Sequence, residues 1–321
     1  MKTWSMPVSA GKSKTRPCAL CGSLIFKPAL ECEGFFFVKC KHCGLVQRNP
    51  QPDKNEILAR YSDTYGKDYL SYELENEAAF LKLQQLALKD AGFLKLEKTL
   101  FAAAEKLRAE TPSILDIGCA TGALLASLRG KGWRVTGVEI SPGAAYAKNE
   151  RKLDVRDVPL EENNFPDDSF DVILASHLIE HLNEPKTFLE ETYRILKNNG
   201  SIFITTPDIS GFQSRLFGSR WRSAIFDHLY LFSRRTLSKM LKTVGFKVVS
   251  CHSWGGLAAG AAPKTVKKIA DFLAKRLNFG DVMIICARKF TTNHMEEQEI
   301  YHEPHEQHEP RKRRDLLQIY E

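Results

Sequence analysis

The stretch Ile114-Leu115-Asp116-Ile117-Gly118-Cys119-Ala120-Thr121-Gly122 decides the fold. An apolar run ends in Asp-x-Gly-x-x-x-Gly, and a helical pattern over 122–129 follows. Glycines where a strand passes into a helix let a ligand approach the backbone closely at the carboxyl edge of a sheet. The spacing is not Gly-x-Gly-x-x-Gly, the loop that cradles a dinucleotide pyrophosphate. It also sets a carboxylate at the strand end, where a pyrophosphate would be repelled.

A second strand pattern, 134–139, ends in Glu139, 23 residues after Asp116. A carboxylate at that point can accept both hydroxyls of a ribose. The two acids together favour a cationic nucleoside such as S-adenosylmethionine over a dinucleotide. Moving outward, short apolar runs predict strands at 113–117, 153–155, 171–175, 201–205, 246–251 and 281–287. Amphipathic stretches at 144–151, 184–196, 235–244 and 264–277 predict helices between them. Strand alternating with helix predicts an α/β, doubly wound, mostly parallel sheet of seven strands.

Upstream, Cys18-x2-Cys21 and Cys40-x2-Cys43 form two knuckles separated by 18 residues. That is the spacing of a four-thiolate structural zinc site. Gly22 and Gly44 follow the second cysteine of each pair, where a tight turn needs a permissive backbone. The spacing predicts a zinc ribbon over 17–50, with Cys18, Cys21, Cys40 and Cys43 as ligands and Cys32 as a bystander. Residues 1–16 read as a disordered leader. Residues 51–110 read as a helical linker or cap that Gly92 divides. Residues 111–290 hold the sheet, and 291–321 read as a disordered His/Glu-rich tail.

Composition narrows the function classes. The 321 residues are 43% hydrophobic and 26% charged, with a net charge of +7 and eight cysteines. No apolar run approaches the roughly 18 residues of a membrane span, and no apolar signal follows the basic first residues. A cytoplasmic location is expected. Residues 1–60 carry ten Lys/Arg against four Asp/Glu, whereas 291–321 carry four against eight. A front end this mildly basic suits phosphate-bearing partners without establishing nucleic-acid binding. The amphipathic 264–277 stretch leaves peripheral membrane contact open. Oligomeric state is not legible.

At this point the sequence resembles a class I S-adenosylmethionine-dependent methyltransferase. Residues 115–122 resemble its first motif, and Val138-Glu139-Ile140-Ser141 its second. Residues 164–173, His177-Leu178-Ile179-Glu180-His181-Leu182 and 194–200 complete the pattern. It is similar to the methyltransferase domain 23-like subgroup that includes ubiquinone-biosynthesis O-methyltransferases, and the cysteine front end resembles the zinc ribbon of some bacterial members. The resemblance implies a Rossmann-like sheet over 111–290 with S-adenosyl-L-methionine as cofactor. Asp116, Gly118, Cys119 and Gly122 would shape the methionine end. Glu139 and Ile140 would meet the ribose, Leu160 and Glu161 the adenine, and Ser176 the reactive methyl. Ala120 departs from the glycine common there.

Methyl transfer to a hydroxyl needs a base. His177, His181 and His228 are the candidates. If a helical turn follows strand 171–175, His177, Glu180 and His181 share a face and could instead hold a divalent metal. His228 follows an aromatic, basic insertion, where Arg215, Arg220 and Arg222 could meet an anionic substrate. The implied reaction is methylation of a small-molecule, sugar or lipid-linked acceptor, with oxygen as the favoured atom. Two alternatives stay open: an RNA-modifying enzyme that uses the ribbon for RNA binding, and a non-catalytic cofactor-binding protein that uses it for docking.

Overall fold

The computed structural model describes residues 15–52, 56–57, 64–255 and 264–290. The expected leader, except its last two residues, and the expected tail lie outside the described residues. All seven expected strands form one sheet. In chain order they are β4 (Ser113–Ile117), β5 (Arg134–Val138), β6 (Val155–Arg156), β7 (Phe170–Ser176), β8 (Leu196–Pro207), β10 (Phe246–Trp254) and β11 (Val282–Lys289). Their spatial order is β10-β11-β8-β7-β4-β5-β6, and only β11 runs antiparallel to its neighbours. The chain leaves β4 for β5 and β6 on one side, then crosses back to β7 on the other. A crevice therefore opens above the carboxyl ends of β4 and β7, the topological switch point.

Successive residues of β4 serve opposite faces. Ile114 packs with Ala87, Leu88, Phe93, Leu124 and Leu128. These come from α1 (Thr64–Asp90), α2 (Phe93–Leu107), α3 (Ala123–Arg129) and the turns between them. Leu115 and Ile117 pack on the other face with residues of α5 (Pro185–Ile195) and α7 (Arg234–Val244), including Leu189, Leu237 and Met240. Gly92, at φ 88°, separates α1 from α2 as its position predicts. The remaining helices are α4 (Gly143–Asn149), α6 (Phe212–Phe217) and α8 (Lys264–Arg276).

A second sheet carries the cysteine knuckles. It has the order β1-β2-β3-β9, with β1 at Phe26–Cys32, β2 at Phe35–Cys40, β3 at Val46–Arg48 and β9 at Tyr230–Leu231. The ribbon's fourth strand thus comes from the segment that carries His228. Val46 pairs with Leu231, and Gln47 with Tyr230. Phe37, Val46, Trp221 and Leu231 close a small core between them.

Gly137 shows how tightly the cofactor-side loop sits on the sheet. A Cβ there would lie 2.7 Å from the Cys119 sulfur and 2.9 Å from Leu125 Cδ1. We expect Gly137→Ala to destabilise the protein by about 1–3 kcal/mol through overpacking. Thermal unfolding checks this, and an unchanged midpoint would contradict the contact.

Candidate active site and metal centre

The glycine loop is shaped by left-handed backbone at Gly118 (φ 76°) and Gly122 (φ 74°). Ala120 joins them at φ 47°. A side chain at Gly122 would also strike Leu153 Cδ1 at 2.6 Å. Glu139 locks the loop from the neighbouring strand. Its carboxylate accepts the Ala120 N–H at 2.9 Å and the Ser141 N–H at 2.8 Å. A carboxylate has about four lone-pair sites, so about two remain open.

Asp116 is buried, and no described group hydrogen-bonds its carboxyl. Burial, and then the nearby Glu139 charge, push its pKa up to about 7. A buried acid without a partner at the mouth of a glycine loop fits a cationic ligand, and the sulfonium and ammonium groups of S-adenosylmethionine supply that charge. Leu160 is buried and Glu161 exposed, at a short helical turn after β6; Ser176 ends β7 and Ile140 follows Glu139, both half-buried. Cys119 turns its thiol inward among Leu125, Ala147 and Val155. Burial there raises its pKa, so it is no nucleophile.

Two acids of α1, absent from the sequence reading, complete this wall. Glu77 accepts a hydrogen bond from Thr121 Oγ at 2.8 Å and pairs with Arg151 at 2.5 Å. Burial raises the Glu73 carboxyl pKa against a hydrogen bond from Tyr69; Glu139 and Glu77 raise it further, and His177 lowers it. Glu73 therefore feels both Glu139 and His177. The signal was present as two acids one helical turn apart, but apolar spacing masked it.

The histidines are arranged differently from the expected helical face. His177 has φ 52°, and only a short 3-10 turn, Ile179–His181, follows. The i, i+3, i+4 alignment therefore fails. His177 is half exposed, with Nδ1 3.3 Å from Glu180. The donors that converge are Glu180, His181 and His228, all within 4.8 Å of one another. His228 takes the place expected for His177. The His181 and His228 rings meet edge to face at 4.7 Å. His228 Nδ1–H donates to the Ser223 carbonyl at 2.8 Å, and His181 Nδ1–H to the Asp227 carbonyl at 3.0 Å. The His228 Nε2 lone pair is thereby left as an acceptor.

Glu180 is fully buried and accepts from Thr206 Oγ at 2.9 Å. Burial opposes its charge, but the His177 hydrogen bond and the three histidines outweigh it, holding the carboxyl down to about 2. Burial and then His181 hold His228 down to about 4, so it is neutral at pH 7. Leu178 lies beside Gly118 at 3.6 Å from a built Cβ, so this group abuts the glycine loop. In the insertion, Arg222 is committed to buried Asp281 at 2.5 Å and Arg215 stacks on Phe279.

The four ribbon cysteines also converge. Cys18 and Cys43 sulfurs are 3.4 Å apart, and Cys21 and Cys40 sulfurs 3.6 Å. Ligands on one tetrahedral zinc would be about 3.8 Å apart. Backbone N–H groups of Leu20 and Cys21 point at the Cys18 sulfur, and those of Cys43 and His42 at Cys40. Such bonds stabilise thiolates. Gly22 and Gly44 both adopt positive φ, as the knuckle turns require.

Residues 86–251, more than half of the chain, match the methyltransferase domain family. The chain belongs to that family. Among its relatives, an uncharacterized protein of Methanocaldococcus jannaschii is 30% identical over 134 residues, 41% of this chain and 63% of that protein. Rat mitochondrial ubiquinone biosynthesis O-methyltransferase is 34% identical over 103 residues, 29% of this chain and 30% of the enzyme. The methyltransferase-family chain thus spans less than two thirds of either relative. A S-adenosylmethionine-dependent methyltransferase from Archaeoglobus fulgidus is similar in structure, with 22% identity, a TM-score of 0.43, and coverage of 60% of this chain and 94% of that one.

Asp116 gives a pH test of the crevice. With its pKa raised in the folded state, its contribution to stability is present below about pH 4 and is lost as pH rises through about 7. Asp116→Asn avoids that loss. We expect the cofactor-free variant to melt above wild type at pH 8 and level with it near pH 4. A pH-independent difference would contradict the buried, unpartnered acid.

Proposed function

We propose that the protein transfers a methyl group from S-adenosylmethionine to the oxygen of a small-molecule, sugar or lipid-linked acceptor. One observation carries this reading. The crevice that pairs Asp116 and Glu139 with a glycine loop abuts Glu180, His181 and His228, and the His228 Nδ1–H is held by the Ser223 carbonyl so that its Nε2 can accept a proton. Likeness to ubiquinone O-methyltransferases supports oxygen as the acceptor atom.

When bound, the cofactor supplies a methyl group already activated by a sulfonium leaving group. The chain's own work is then positioning and proton removal. Asp116 offsets the positive charge, and Glu139 fixes the ribose. His228 Nε2 receives the acceptor hydroxyl proton, and buried anionic Glu180 steadies the resulting imidazolium. His181 shares that field and is the second base candidate. His177, half exposed, orients Glu180. The converging Glu180, His181 and His228 donors also suit a divalent ion, which supports a metal-assisted version of the same proton removal.

Calorimetry tests the cofactor assignment. We expect saturable binding of S-adenosylmethionine and its demethylated product, weakened about tenfold in Glu139→Gln. His228→Gln and His181→Gln should keep that affinity, and at least one should lose about 10² or more in turnover. Absence of cofactor binding by wild type sinks the reading. Full turnover in both variants removes histidine base catalysis.

We also infer one structural zinc on Cys18, Cys21, Cys40 and Cys43. Metal analysis is expected to find one zinc per chain, absent from a Cys18→Ser/Cys43→Ser variant. Retention of the metal by that variant would refute the assignment. Exposed Phe272, Leu273 and Leu277 beside Lys275 and Arg276 on and after α8 support peripheral contact with a membrane. No helix among the described residues is long and apolar enough to cross one.

A further inference from the structure

A second cavity lies at the seam between the ribbon and α7. It has a volume of about 560 Å³ and shares no lining residue with the cofactor crevice or the histidine group. Its charged lining is Lys27, Lys39, Lys41 and Arg235, with His42 beside them and no acid. None of the four permanent cations has an ion pair or side-chain hydrogen bond among the described residues. Arg234, by contrast, is taken by Asp208 at 3.3 Å. The Ser233 and Thr236 hydroxyls, also in the lining, cap one another. The polar capacity left over is cationic.

This arrangement carries an internal cost. Lys27 and Lys39 stand directly opposite each other on β1 and β2. Like charges at such a pair, with Cβ atoms about 5 Å apart, destabilise a sheet. Part of the positive charge balances the neighbouring metal centre, because zinc on four thiolates carries a formal charge of about −2. The four cations exceed that by about 2. A bound anion would relieve both the surplus and the cross-strand repulsion.

We propose that this cavity binds a phosphate or pyrophosphate group. The lining has no aromatic residue, and a single-stranded nucleic acid needs stacking platforms as well as charge. Assigning the group to the methyl acceptor rests on the methyltransferase reading; the anion site itself does not. A phosphorylated acceptor would then be held by the ribbon while the reacting end meets the sheet.

The test is calorimetric titration of the full zinc-loaded chain with inorganic pyrophosphate at about 0.15 M salt. One saturable site is expected. Lys27→Gln/Lys39→Gln/Arg235→Gln should bind at least about tenfold more weakly, with zinc content and cofactor affinity unchanged. Arg235→Gln alone, on α7 and outside the ribbon strands, should weaken binding in the same direction and guards against a ribbon that fails to fold. No saturable binding by wild type, or binding as tight as wild type by both Arg235→Gln and the triple variant, would overturn the proposal. Tighter binding of a single-stranded RNA, lost in the triple variant, would overturn it in favour of a nucleic-acid surface. Competition by a nucleoside diphosphate supports a soluble phosphate source. Competition by phosphatidylcholine vesicles containing phosphatidic acid supports a lipid source. Pyrophosphate binding without cofactor binding would leave the anion site standing and the methyltransferase reading failed.

Discussion

Two residue pairs, Val46 with Leu231 and Gln47 with Tyr230, join the cysteine ribbon to the segment that carries His228. The Arg48 N–H extends the ladder to the Leu229 carbonyl at 2.8 Å, and its guanidinium reaches the Phe226 carbonyl at 2.8 Å. The same guanidinium lies 3.8 Å above the Phe226 ring. His228 sits between these anchors. On the other side, the Leu229 N–H donates to the Glu180 carbonyl at 2.7 Å. A metal held by the knuckles would therefore also order the segment that presents His228. The ribbon positions a catalytic candidate, which is more than an appended module would do.

The two buried carboxylates of the site are treated in opposite ways. Glu180 has a hydroxyl donor and histidines around it, so its charge is supported inside the protein. Asp116 has neither, so its charge is disfavoured until a cation arrives. Glu180 is a buried anion supported from within, whereas buried Asp116 is disfavoured as an anion near neutral pH. Glu139 lies between these extremes, since two backbone N–H groups hold it while half its lone pairs stay open.

The sheet was legible because its signals are local. Apolar runs, the glycine loop, the Gly92 break and the knuckle glycines each act within a few residues. Strand β1 was harder to read, because Lys27 and Pro28 interrupt its apolar pattern at the edge of a small sheet. The union of His228 with Glu180 and His181 could not be read from spacing, since 46 residues separate His181 from His228. An assumed helical turn instead pointed to His177, and the left-handed backbone there breaks that alignment. The pairing of β3 with β9 is equally long-range. Glu73 and Glu77 were hidden for another reason: a helix read for its apolar face still has a polar face, and here part of it borders the crevice.

Incorporation of label reports methyl transfer itself. Zinc-loaded protein, methyl-tritiated S-adenosylmethionine and fractionated cell extract would be incubated together. The methyltransferase reading predicts label in a small-molecule, sugar or lipid fraction, and none with Glu139→Ala. No label in any fraction, or equal labelling by the variant, would contradict it.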